Sequence, residues 1–216
     1  MPLKVIPAGK QDARRAVDIE NVAYNDDPYG PFLFPGPHTE TEGAARSERL
    51  AANLDQSPFC RWMQVVDDDL VAQGKEGMIS FSMWYVWDSP PPKEEHQRPA
   101  PLWGAGANAE ACDLFFGGMS AKWFDRLGGK PHVYLKLLHT DPEQQKRGAG
   151  SMLLKWGADE ADRLGLPSYL EASEAGRPLY EKFGYETVDV LHVDFSKWGG
   201  PADGSCCLML RPPKSG

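Results

Sequence analysis

The sequence lacks several features that would point to whole classes of protein. No apolar run approaches the length needed to cross a bilayer, and residues 1–10 contain no hydrophobic signal region. Acidic residues outnumber basic ones, and the resulting formal net charge of −8 disfavours nucleic acid and anionic membranes as general partners. We therefore expect a cytoplasmic protein that binds neither nucleic acid nor membrane.

Cysteine is also scarce, and its spacing excludes the common structural metal sites. The four cysteines form no Cys-x-x-Cys pair and no zinc-type cluster with histidine; they are Cys60, Cys112, Cys206 and Cys207. Three consecutive aspartates at 67–69 are predicted to form a turn, because adjacent side chains diverge and do not converge on one ion. We expect four reduced thiols and no metal.

The composition fits a packed globular chain. Hydrophobic residues make up 41% of the 216 residues, which is enough for a sizeable core. We expect a single domain over 1–216 with a loop and helix insertion at about 88–128. Within it, residues 89–106 are rich in proline and polar residues, which predicts a surface loop. Residues 107–127 are predicted to form a helix interrupted at Gly117. This interrupted helix is either a wall of the substrate site or a kink that serves packing alone.

The spacing of apolar residues predicts one strand, two helices, two strands, the insertion, and then the order β-α-β-α-β-β. This order indicates an α/β or α+β fold with helices on both faces of the sheet. The predicted strands are near 5–6, 59–66, 78–87, 132–140, 169–172, 185–195 and 205–211, and the predicted helices near 11–24, 39–54, 148–164 and 177–183.

A glycine-containing turn at 145–150 joins a predicted strand to a predicted helix. Gly148 and Gly150 allow a tight turn whose N–H groups point outwards, and the helix dipole adds positive charge, so the turn can bind a phosphate. Lys146 and Arg147 add local charge. Many such turns use glycine for geometry alone. A P-loop would need Lys-Ser/Thr after the last glycine, and a dinucleotide fingerprint would need an additional first glycine.

Two segments in register resemble the GNAT superfamily of acetyl-CoA-dependent N-acetyltransferases. Residues 140–154, TDPEQQKRGAGSMLL, resemble the superfamily's acetyl-CoA-binding segment, with Thr140 in place of the usual valine. Residues 179–185, LYEKFGY, resemble its Leu-Tyr-x-x-x-Gly-Phe element at the expected spacing. In its overall character the sequence resembles fungal members of the superfamily. The resemblance covers about 132–190 and implies a mixed, mostly antiparallel sheet of about seven strands.

The resemblance also implies where acetyl-CoA would bind. The strand before the turn would bulge and separate from its neighbour, and the backbone there would pair with pantetheine; these residues are Leu138, His139 and Thr140. The amides of the turn would hold the pyrophosphate, assisted by the Ser151 hydroxyl; they belong to Gln145, Lys146, Arg147, Gly148, Ala149 and Gly150. Ser173 matches a position where relatives often have asparagine, so its contact departs from the pattern.

Tyr180 matches the superfamily tyrosine that approaches the cofactor sulfur, where a protonated phenol can donate to the departing thiolate. A tyrosine packed under the sheet is the structural alternative. The base that deprotonates the amine stays open: Glu171 is the first candidate. Others are His139, Tyr134, Lys136 and a chain of waters.

We expect the acceptor pocket to include Phe32, Phe34, Trp84 and Tyr134, together with the insertion near 115–119. Asp26 and Asp27 either attract a cationic amine or brace their loop. The predicted activity is acetyl transfer to a small primary amine by a monomer or homodimer. The alternatives are a protein N-acetyltransferase, a non-catalytic acyl-CoA sensor and a nucleotide enzyme that binds phosphate.

Overall fold

A computed structural model describes residues 3–37, 39–91 and 103–214. Seven strands form one sheet: β1 (Leu3–Pro7), β2 (Cys60–Asp67), β3 (Met78–Trp87), β4 (His132–Thr140), β5 (Ser168–Ala172), β6 (Glu186–Val193) and β7 (Gly204–Arg211). They lie in the order β1-β2-β3-β4-β5-β7-β6. Strands β4 and β5 pair in parallel, and the other neighbouring pairs of these described strands are antiparallel. The mixed, mostly antiparallel sheet of the prediction is confirmed.

Helices cover both faces of this sheet, also as predicted. They are α1 (Ala13–Ala23), α2 (Gly30–Leu33), α3 (Glu40–Gln56), α4 (Asp68–Ala72), α5 (Ala109–Cys112), α6 (Gly118–Leu127), α7 (Ala149–Leu164) and α8 (Arg177–Lys182). Helices α1 and α3 pack on one face, where α5 and α6 extend the cover towards β6 and β7, and α7 packs on the other. Within the described ranges, none of the helices is long and apolar enough to span a membrane.

Alternation along β3 divides the core between the two faces. Phe81 and Met83 join the cluster under α1 and α3, whereas Trp84 joins the cluster under α7, because successive strand side chains point to opposite faces. Gly157 lets α7 approach this indole, since a Cβ at that position would lie 2.1 Å from a Trp84 ring carbon. Helix α7 ends in agreement with the predicted helix near 148–164, and Gly165 caps it in a left-handed conformation.

Side-chain caps fix the start of two helices. The Thr39 hydroxyl accepts a hydrogen bond from the Glu42 N–H at 3.2 Å and caps α3, which lies where a helix near 39–54 was predicted. The predicted turn at 67–69 is instead the start of a short helix. There the Asp67 carboxylate accepts the Asp69 N–H at 2.8 Å and caps α4. In the structure no disulfide joins any two of the four cysteines, all of which lie in the described ranges.

The insertion forms helix from Ala109 to Leu127, with one π-helical turn at Asp113–Gly117 in place of the predicted interruption. Gly118 follows this turn, and a Cβ there would lie 2.8 Å from a Leu191 methyl group on β6. The glycine therefore serves close packing against the sheet. Residues 92–102 of the predicted proline-rich loop lie outside the described residues.

Candidate active site

A bulge in β4 and a separation of β4 from β5 create the main cleft. Met83 pairs with Leu137 but Trp84 pairs with Leu135, so Lys136 is an extra residue in β4. The parallel pairing with β5 begins at Val133 and ends at Leu135, although β4 continues to Thr140. The cleft that opens there has a volume of about 2790 Å³. Both the bulge and the separation match the expectation from the family resemblance.

The free edge of β4 exposes alternate backbone groups. The His139 carbonyl accepts the Ser80 hydroxyl at 2.9 Å, so the backbone of His139 faces β3. The Leu138 carbonyl points to the other side, where the Tyr24 hydroxyl lies 3.5 Å away. By the same alternation the Thr140 backbone shares that side. The prediction that His139 offers backbone groups to a ligand in the cleft is therefore wrong.

The turn before α7 has the geometry of an anion site. Lys146 has φ of 61° and Gly148 has φ of 89°, two left-handed residues that turn successive N–H groups towards one concavity. The first helical bond of α7 is made by the Met152 N–H to the Gly148 carbonyl. In this described part of the chain, the N–H groups of 146–151 make no hydrogen bond, whereas that of Gln145 donates to Pro142.

The two cationic side chains of this turn point in different directions. Lys146 lines the cleft, as do Gln145, Ala149, Gly150 and Ser151. Arg147 donates to the Asp67 carboxylate at 2.6 Å and to the Gln144 side chain at 2.5 Å. Arg147 therefore fastens the turn to the end of β2. The prediction that its side chain adds charge to the anion site is wrong, because its guanidinium is held by Asp67.

Tyr180 on α8 lies in the cleft wall. It is buried, with its ring centroid 6.2 Å from that of Tyr185, and burial raises its pKa well above the ordinary value for tyrosine. The phenol therefore holds its proton at neutral pH. Ser173 also lines the cleft, but its hydroxyl accepts the Gly176 N–H at 3.1 Å and so supports the turn into α8.

Three polar side chains form a hydrogen-bonded chain across the separated strands. The Lys136 ammonium donates to the Tyr134 hydroxyl at 2.9 Å. That hydroxyl donates in turn to the two carboxylate oxygens of Glu171, at 3.0 and 2.8 Å. Burial, followed by the charge of Glu171, raises the pKa of Tyr134 well above its ordinary value. The chain connects a cleft amine to a carboxylate through a protonated phenol.

His139 is poorly suited to act as the base. The residue is 4% exposed, its ring stacks on Phe81, and neither ring nitrogen makes a regular hydrogen bond to any described residue. Burial lowers the pKa of His139 to about 4, although the carboxylate of Glu20 opposes this shift. At neutral pH the imidazole is uncharged and has little affinity for a proton. Glu171 is the better placed of the predicted bases.

The predicted acceptor residues divide between the cleft and the core. Phe34 and Tyr134 line the cleft. Phe32 instead stacks on Phe195 at 6.1 Å under the β6–β7 hairpin, and Trp84 is fully buried against α7. The predictions for Phe32 and Trp84 are wrong, since both side chains face away from the cleft. Asp27 braces its loop by accepting the N–H groups of Tyr29 and Gly30.

Several aromatic residues of the cleft were missed in the sequence. Tyr85 and Trp87 of β3 line it together with Trp123 of α6, and the Trp123 and Tyr134 rings stack at 5.6 Å. Strand alternation was the available signal, because Phe81 and Met83 share their face with Tyr85 and Trp87. The side chains of 115, 116 and 119 complete this wall, as the sequence predicted for the insertion.

Comparison with known proteins fits this geometry. The chain belongs to the acetyltransferase (GNAT) family, whose sequence profile matches residues 61–185, more than half of the chain. An uncharacterized N-acetyltransferase of Schizosaccharomyces pombe is 21% identical over 209 residues, covering 89% of this chain and 85% of that protein. The protein is therefore an acyltransferase enzyme of the GNAT family, as predicted.

Two further similarities differ in how much of the chain they cover. The probable acyltransferase SID5 of Ajellomyces capsulatus is 45% identical over 44 residues, which are 20% of this chain and 32% of that protein, so the match spans about a third of that relative. The crystal structure of a mosquito arylalkylamine N-acetyltransferase like 5b has a TM-score of 0.66 at 15% identity, covering 97% of this chain and 99% of that one. The second similarity shows the shared fold.

Proposed function

We propose that this protein transfers the acetyl group of acetyl-CoA to the primary amine of a small molecule. The observation that carries the proposal is the open edge of β4 beside the anion-binding turn, with Tyr180 and Glu171 in the walls of the same cleft. Each part supplies one requirement of acetyl transfer: a place for the donor, a proton for the thiolate and an acceptor for the amine's proton.

The residues present fit acetyl-CoA as the donor substrate. The unengaged N–H groups of 146–151, the positive end of the α7 dipole and the Lys146 ammonium suit a pyrophosphate. Gly148 adds to this fit. It has a left-handed φ, and a Cβ built on it would meet no other atoms within 4 Å, so the concavity is open at this residue. The exposed edge at Leu138 suits the amide groups of pantetheine, as an added strand would.

Two residues with opposite roles support the chemistry. The acceptor amine attacks the thioester carbonyl, and the oxyanion that forms is stabilised by a backbone N–H on the free edge of β4. Tyr180, protonated because of its burial, donates a proton to the departing thiolate. Glu171 receives the proton of the amine, directly or through the Tyr134 hydroxyl that bridges to it.

The acceptor end of the cleft supports a small amine. Aromatic side chains from β3, β4, α6 and the loop around α2 surround it; they are Phe34, Tyr85, Trp87, Trp123 and Tyr134. Flat apolar walls bury a compact apolar group well, and the nearby carboxylate of Glu171 favours a cationic amine.

The test is a library of amines incubated with acetyl-CoA, with product mass and free thiol both measured. We expect acetylation of small amines, no transfer to unstructured peptides, and loss of turnover in Glu171→Gln. Thermal stabilisation by CoA without turnover on any amine would indicate a sensor. Stabilisation by ATP or NAD and not by CoA would contradict the donor, and transfer to peptide amines alone would contradict the acceptor class.

A further inference from the structure

Lys136 places an amine of the protein itself at the point where β4 and β5 separate. It is the extra residue of the β4 bulge, one position after the last parallel pair at Leu135. Its side chain is exposed and lines the cleft. An acetyl thioester bound as proposed would lie at this separation, so the inference rests on the proposed function.

The Lys136 ammonium is not held by an ion pair. It donates to the Tyr134 hydroxyl at 2.9 Å and lies 5.2 Å from the centroid of that ring. Among the residues that the structure describes, no carboxylate is within 4.0 Å of it, whereas Lys155 on α7 binds Asp159 at 2.6 Å. The Lys136 ammonium is therefore held by a neutral phenol and not directly by a carboxylate.

A route for the proton is already in place. The Tyr134 hydroxyl accepts from Lys136 and donates to Glu171, so one proton can leave the ammonium for the phenol oxygen as the phenol passes its own to the carboxylate. Tyr134 keeps its proton at neutral pH and therefore works as a relay between the two charged groups. Transfer of that proton would leave a neutral amine facing the cleft.

We propose that Lys136 is acetylated by its own active site when acetyl-CoA is bound and no acceptor amine is present. The Nζ atom attacks the thioester carbonyl carbon, the N–C bond forms and the C–S bond breaks. Of the two protons that the ammonium loses, one passes through Tyr134 to Glu171 and then to water. The other proton replaces, in net terms, the one that Tyr180 gives to the thiolate. The products are acetylated Lys136 and free CoA.

This modification would change the acceptor site. Acetylation removes the positive charge beside the chain of Tyr134 and Glu171 and adds an apolar group at the separation of the strands. An acceptor amine that occupies the cleft competes for the same acetyl group, so its presence slows the reaction at Lys136. The extent of acetylation at Lys136 therefore depends on the ratio of acetyl-CoA to acceptor amine.

The experiment incubates the full chain with isotopically labelled acetyl-CoA and no amine, and follows each lysine by peptide mass spectrometry. We expect Lys136 to be labelled at least about tenfold faster than Lys155 in the same molecules, at a rate independent of protein concentration. Glu171→Gln slows labelling of Lys136 by about 100-fold, the scale of general-base catalysis, and leaves Lys155 unchanged. Lys136→Arg removes the fast phase from the intact mass.

Equal rates at Lys136 and Lys155, a rate that rises with protein concentration, or an unchanged rate in Glu171→Gln would each overturn the inference. The first two comparisons use the unaltered protein and do not depend on a variant that folds. The same samples are assayed against the amine library. Acetylated amine with unlabelled Lys136 overturns self-acetylation alone, whereas no acetylation of any amine or lysine contradicts the proposed function.

Discussion

At the scale of single residues, the chemistry of the cleft depends on where each phenol keeps its proton. Tyr180 and Tyr134 are both buried, and burial raises the pKa of both above the ordinary value. Burial, together with the neighbouring Tyr185 and Cys206, favours the protonated form of Tyr180, which suits a donor. Tyr134 is joined to Glu171 and Lys136, which suits a relay. We therefore propose that the two tyrosines differ in function because they have different partners.

We predict that Tyr180→Phe lowers turnover by about 100-fold, since a general acid contributes on that scale. The affinity for acetyl-CoA should change by less than about threefold. Tyr185→Phe is the matched control, because the Tyr185 hydroxyl bonds Ser168 at 2.6 Å in the core and faces no ligand. It should lower the free energy of unfolding by about 1 kcal/mol and keep turnover. Steady-state kinetics and calorimetric binding check both, and unaltered turnover in Tyr180→Phe would remove its role.

At the scale of elements, the turn between β4 and α7 separates binding from bracing. Lys146 points into the cleft, and Arg147, its neighbour, binds Asp67 at the end of β2. The left-handed conformation of Lys146 reverses the chain between them. We propose that the two basic residues have different roles: Lys146 adds positive charge to the cleft, and Arg147 holds the turn against β2.

We predict that Lys146→Ala weakens acetyl-CoA binding by about threefold to tenfold at low salt and reduces the salt dependence of binding, because a charge facing the phosphates is lost. Arg147→Ala should weaken binding with an unchanged salt dependence. Asp67→Asn should have the same effect, and the double variant should be no worse than either single one. Titration calorimetry at two salt concentrations measures this. A reduced salt dependence in Arg147→Ala would place its side chain at the phosphates.

At the scale of the whole molecule, one ion pair ties the long helix α7 to the last strand. Arg211 donates to both oxygens of Asp162 at 2.7 Å, and it also donates to the Phe183 carbonyl at 2.9 Å. The side chain of Asp162 is 20% exposed and that of Arg211 is 6% exposed. The hydrogen bonds from Arg211 lower the pKa of Asp162 from 3.8 to about 2.

This shift predicts acid sensitivity with a definite sign. A lowered pKa in the folded state stabilises the protein above pH about 4, and the contribution is lost as the pH falls from about 4 to about 2. Asp162→Asn should lower the free energy of unfolding by about 2 kcal/mol at pH 7 and flatten this acid dependence. The control Asp159→Asn breaks an exposed pair and should cost less than about 0.5 kcal/mol. Urea unfolding from pH 7 to pH 2.5 measures both; equal losses would contradict the assignment.

The sequence by itself determined the strands of the sheet, the longer helices and the position of three residues along the cleft. The bounds of β3 and β4 match the predicted strands, and Gly148, Gly150 and Tyr180 lie along one cleft as their motifs predicted. These features are local: strand alternation, helix periodicity and glycine turns depend on residues within a few positions of each other. Their spacing along the chain is therefore enough to place them.

Only the tertiary structure decided which side chains face the cleft. Trp84 and Tyr85 are neighbours in sequence and both aromatic, yet Trp84 packs under α7 and Tyr85 lines the cleft. Arg147 binds a carboxylate that is 80 positions away in the sequence. Lys136 lies close to Tyr134 and Glu171 because of the bulge in β4 and the parallel pairing of β4 with β5. A shift of one residue in strand register moves every side chain of the strand to the opposite face of the sheet. The spacing of residues along the chain does not reveal contacts between segments that are distant in sequence.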